Sequence, residues 1–131
     1  MHTLFDNAGR TLVEGVTWWD GKGITPATVR AEVTKLAEEN PGTVRNCVYN
    51  RGGVPECIVG QAVFNLTGKV VSDETHSGSI TWRPEWISAF GFKNLTEAME
   101  NGDFTFISKV QQAQDQGRTW GDALRFAQQG V

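Results

Sequence analysis

Residues 47–68, CVYNRGGVPECIVGQAVFNLTG, contain the densest apolar stretch of the chain, and their folding decides how everything else must pack. Ile58, Val59, Ala62, Val63 and Leu66 recur at steps of three and four, which draws one continuous stripe along a helix. Pro55 suits the first helical position, where a missing N–H costs nothing. Gly68 suits the left-handed residue that ends a helix. The spacing therefore predicts a central helix over Pro55–Leu66, entered through an extended segment ending at Tyr49 and a glycine turn at Asn50-Arg51-Gly52-Gly53. A helix this apolar must be covered by other elements, so it is expected to be the core rod, with Cys47 and Cys57 as small buried hydrophobes.

Outward from that helix, Thr3-Leu4-Phe5 and Arg10 to Val13 flank the turn formers Asp6-Asn7-Ala8-Gly9, the pattern of a small hairpin. Trp18 and Trp19 are adjacent, so in an extended chain they face opposite sides. Thr25-Pro26 opens a helix whose stripe is Val29, Val33, Leu36 and Ala37, and Pro41 ends it near Asn40. Its opposite side, Arg30, Glu32, Lys35, Glu38 and Glu39, reads as a solvated face. Val44, Cys47 or Val48, and Tyr49 are candidates for burial in the next segment. Val70-Val71 and Ile80 to Trp82 suit short extended pieces, on either side of the polar loop Ser72 to Ser79. A short helical turn opens at Arg83-Pro84-Glu85, placing Trp86, Ile87 and Phe90 on one side. Another runs from about Asn94 with Leu95, Ala98 and Met99 apolar. A third, capped by Asp103, spans Phe104 to about Gln116 and is stopped by Gly117, with Phe106, Ile107, Val110 and Ala113 inward. A last helix is capped by Thr119 and carries Trp120, Ala123, Leu124 and Ala127. No repeat or composition break divides the chain. The expected architecture is a single α+β domain over residues 1–131, mainly helical, with a small antiparallel sheet or hairpin near the N-terminus.

At 131 residues the chain can bury a core without metals or disulfides. A hydrophobic content of 39% and a charged content of 21% are ordinary for a globular domain. A net charge of -3 opposes a general phosphate-binding surface. No apolar run reaches the ~20 residues of a membrane span. The N-terminus lacks the basic start and apolar core of a secretory signal. A cytoplasmic location is expected.

Candidate chemistry is sparse. Cys47 and Cys57 cannot make up the four ligands of a structural zinc site, and His2 and His76 stand alone, so no metal or cofactor is expected. Cys57, at a helix N-terminus where its thiol pKa would fall, could act with His76 and a carboxylate from Asp73 or Glu74. The spacing gives that arrangement no support. The glycines before the core helix, with Arg51, could cradle an anion, although neither phosphate-loop pattern is present. The aromatics Trp82, Trp86, Phe90, Phe92, Phe104 and Phe106 read as core rather than as a base-stacking platform. Trp18, Trp19 and Trp120 are the candidate interface residues, because a surface tryptophan commonly anchors a protein interface.

The run Cys47 to Gly60, with Cys-x-Tyr, a glycine turn and Pro-Glu-Cys-Ile-Val-Gly, resembles small proteins of actinobacterial phages and their hosts. The run from Val110 to Leu124, VQQAQDQGRTWGDAL, is similar to the C-terminus of those proteins. The resemblance implies an accessory protein made in the bacterial cytoplasm, and no catalytic residue follows from it. The expected function is non-enzymatic binding of a host or phage protein. The first alternative is a nucleic-acid-associated regulator in which the last two helices form a helix-turn-helix-like pair. The second is a small Cys/His-dependent enzyme. Self-association stays open.

Overall fold

The computed structural model describes residues 3–5, 11–13, 18–19, 23–45, 49–71 and 84–129. The chain is a mainly helical α+β protein that begins with an antiparallel hairpin. Strands β1 (Thr3–Phe5) and β2 (Thr11–Val13) pair with Leu4 opposite Leu12. β3 (Trp18–Trp19) precedes α1 (Pro26–Glu39), and β4 (Asn50–Arg51) and β5 (Val54–Pro55) lead into α2 (Ile58–Thr67). After α2 comes β6 (Val70–Val71), which pairs in parallel with β3 and sets Trp18 beside Val70 and Trp19 beside Val71. Then follow α3 (Pro84–Ala89), α4 (Leu95–Glu100), α5 (Gly102–Asp115) and α6 (Trp120–Gln129).

The helix ends have local causes. Thr25 and Thr28 form a reciprocal capping box at the start of α1, with Pro26 as its first residue. Gly68, at φ 73, closes α2 in the left-handed conformation. α5 ends in a Schellman motif: Gly117 N–H donates to the Gln114 carbonyl and Arg118 N–H to that of Ala113, with Gly117 at φ 90. Two starts differ from expectation. Pro55 is not the first residue of a helix, because Gly52 and Gly53, both at positive φ, make a two-residue hairpin turn that folds Val54–Pro55 back along Asn50–Arg51. The helix opens three residues later, with Cys57 as its cap. α5 is capped by Asn101, whose side chain accepts the Phe104 N–H, while Asp103 lies inside the first turn.

One buried cluster joins α1, α2, α5 and α6, and Tyr49, Val71 of β6, Trp86 of α3 and Ala98 of α4 belong to it. α5 packs along α6 and α1, and α1 lies on α2. A chain of rings runs through it from Tyr49 to Trp86, Phe90, Phe92 and Phe104, with neighbouring centroids 5.4 to 6.5 Å apart. Trp86, Phe90, Phe92, Phe104 and Phe106 are therefore core or packed on it, and Trp82 lies outside the described residues. Contrary to expectation, Val44 is exposed. The charged side of α1 is also not wholly solvated. Arg30 pairs with Asp103 of α5 at 3.1 Å and stands 4.1 Å over the Phe106 ring, tying the two helices together.

Candidate interaction surface

The N-terminus of α2 is the place where the sequence offers an anion cradle and a reactive thiol. Both roles depend on free backbone N–H groups or an accessible sulfur. Instead, Ile58 N–H donates to Gln114 Oε1 at 2.9 Å and Val59 N–H to Gln111 Oε1 at 3.3 Å. Gly60 N–H donates to Cys57 Sγ at 3.4 Å, and Gln61 N–H bonds the Cys57 carbonyl within the helix. The first three N–H groups of the helix, those of Ile58, Val59 and Gly60, thus have protein partners outside the helical ladder. The two glutamines are fully buried on α5 and are fixed in turn. Gln111 Nε2 donates to Asp115 Oδ1 at 2.7 Å, and Gln114 Nε2 donates to the Arg45 carbonyl. Cys57 is buried in the same place, so its sulfur is held among packed groups and away from solvent. Cys47, His2, His76, Asp73 and Glu74, the other groups of the thiol and metal readings, lie outside the described residues. Among the described residues, no three His, Cys, Asp or Glu side chains come together to hold a metal ion.

The N-terminus of α6 is closed in the same manner. Trp120 N–H donates to the Thr43 carbonyl and Gly121 N–H to the Pro41 carbonyl, each at 2.9 Å, while Thr119 Oγ1 accepts the Asp122 N–H. This geometry corrects the reading of Trp120 as an interface residue. Its ring is only 3% exposed, because those backbone bonds draw the start of α6 under the 41–45 loop and turn the indole into the core. Its Nε1–H is buried and has no hydrogen-bond partner among the described residues. Trp18 and Trp19 are placed by backbone pairing with Val70 and Val71 at β3, and their side chains lie outside the description.

Exposed apolar side chains lie elsewhere. α4 buries only Ala98 and leaves Leu95, at 43%, and Met99, at 49%, one turn apart on its outer side. The last turn of α2 exposes Phe64 and Leu66, although Leu66 belongs to the predicted stripe. At ten residues α2 is buried over its first half and open at its end. The α4 pair is legible in the sequence only as a helical repeat. A six-residue helix has too little length to turn a full stripe inward, and packing through a small alanine leaves the larger side chains outside. Among the described residues, no helix is long and apolar enough to cross a membrane. Comparison with known protein families, curated proteins and solved structures found no match to the chain.

Proposed function

We propose that the chain is a non-enzymatic accessory protein, of the actinobacteriophage kind that its two runs resemble, which works in the bacterial cytoplasm by binding a host or phage protein. The observation that carries this reading is the Leu95–Met99 pair on α4. Two large apolar side chains one turn apart, outside an otherwise filled core, give a partner an apolar contact at little cost in rearrangement. Both α2 and α6 have their N-terminal N–H groups occupied internally, so the reading draws on side-chain surface rather than on backbone donors. Affinity capture from an actinobacterial lysate tests it, with wild type, Leu95→Ser/Met99→Ser and Trp18→Ala/Trp19→Ala run together. The expected result is a defined partner recovered by wild type and lost with the α4 variant at unchanged Tm. Recovery of the same proteins by both, or of none by wild type, overturns the reading.

A further inference from the structure

A second surface, at the corner where the 41–45 loop meets the α5–α6 turn, has a different chemistry. The bonds from Gln114 to the Arg45 carbonyl and from Trp120 to the Thr43 carbonyl bring the loop against the turn, so that the backbone of Arg45 lies against α5 and Arg118 stands in the turn that follows it. Both arginines are exposed. The Arg118 guanidinium rests over the Phe126 ring, 5.0 Å from its centroid, and Phe126 is itself 36% exposed. The third arginine of the region, Arg125, is occupied by Asp122 one turn earlier on α6. Among the described residues, Arg45 and Arg118 donate from their side chains to no carboxylate or carbonyl, and exposed Glu38 and Glu39 of α1 pair with neither.

An arginine held on an aromatic face, with its N–H groups left over, has already lost part of its side-chain freedom without using its donors. Its fork of donors matches a carboxylate, and the ring beneath supplies an apolar contact to the residue carrying it. We infer that this corner docks a carboxylate-rich segment of a partner protein, with Arg118 as the anchor, Phe126 as its platform and Arg45 as the second cation. Charge complementarity selects that occupant over nucleic acid. A duplex binds through many phosphate contacts at once, whereas this corner offers two cations, enough for one short acidic segment. The corner is separate from α4 and does not depend on the Leu95–Met99 reading.

The test is an NMR titration of the ¹⁵N-labelled full chain at low salt, following backbone amides and arginine Nε–Hε signals. The probes are a blocked hexaglutamate peptide, hexalysine and a short DNA duplex. Hexaglutamate is expected to give saturable shifts at Arg45, Arg118 and residues 117–126 that weaken as salt is added. Arg118→Gln is expected to weaken binding by about fivefold or more, as loss of a charge-assisted contact does. Phe126→Leu should fall between that variant and wild type. Leu95→Ser/Met99→Ser should bind as wild type, which keeps failure of this inference distinct from failure of the α4 reading. No saturable shift, equal binding of hexalysine, or unchanged affinity in Arg118→Gln overturns the inference. Tighter binding of the duplex than of hexaglutamate overturns it in favour of nucleic acid.

Discussion

A Cβ on Gly60 would lie 2.3 Å from the Tyr49 carbonyl oxygen, closer than any packed carbon and oxygen approach. That oxygen also accepts the Glu56 N–H, so the backbone cannot retreat without breaking the entry to α2. In an unobstructed helix interior, glycine to alanine stabilises by about 1 kcal/mol. Gly60→Ala is expected to do the reverse and cost about 2–3 kcal/mol, in the range of overpacked cores, read as a lower urea midpoint at unchanged m-value. Gln114 poses the complementary case. Gln114→Leu keeps the bulk but leaves the buried Ile58 N–H without its acceptor, at an expected cost of about 1–3 kcal/mol in the same measurement. An exposed glutamine contributing nothing to α2 would give no change. Neither role was legible from composition. Gly60 reads as a weak point in an apolar helix, and the Tyr49 carbonyl that requires it belongs to a different segment. Gln111 and Gln114 do carry a signal: they continue the inward stripe of Ile107 and Val110, and a polar residue in such a position implies a buried partner.

Helix boundaries were legible wherever the capping residue and its target are neighbours in the chain. Thr25-Pro26, Gly68, Gly117 and Thr119 act at the ends they mark, because capping bonds span only three to five residues. The misread boundaries are those with two competing signals. Pro55 fits both a helix start and the second arm of a hairpin, and the paired glycines before it favour the hairpin. Asp103 and Asn101 are both good caps, but an Asp103 start would place the Arg30 partner outside the helix. The geometry separates the two by mutation. Asn101→Ala removes the acceptor of the Phe104 N–H and is expected to cost about 1 kcal/mol, as the loss of a helix cap does. Asp103→Asn leaves that cap intact and weakens only a half-exposed ion pair, at an expected cost below about 1 kcal/mol. Thermal unfolding of the two variants checks the order, and a larger loss for Asp103→Asn would move the cap back to residue 103.

The molecule as a whole is held by polar bonds that cross between elements as well as by its apolar cluster. The 41–45 loop accepts from Gln114 of α5 and from the first two N–H groups of α6, and α5 in turn caps α2. These bonds join segments dozens of residues apart, and no local pattern announces them, which is why the helices are legible in the sequence and their arrangement is not. α4 stands outside this network, with one buried residue and its larger side chains in solvent. Stability should therefore be uneven. A buried amide bonded across elements exchanges only when those elements separate, whereas a short helix with little buried area opens by itself. In native-state hydrogen exchange the amides of Ile58, Val59, Trp120 and Gly121 are expected to exchange near the global unfolding free energy and to respond together to denaturant. The α4 amides of Ala98 and Met99 should exchange at least ~2 kcal/mol more easily, with little denaturant dependence, as local opening does. In Gln114→Leu the Ile58 amide should lose protection beyond the fall in global stability, because its own acceptor is gone. Equal protection across α4 and the α2 start would mean that α4 belongs to the same cooperative unit, and its exposed pair could not yield to a partner independently of the core.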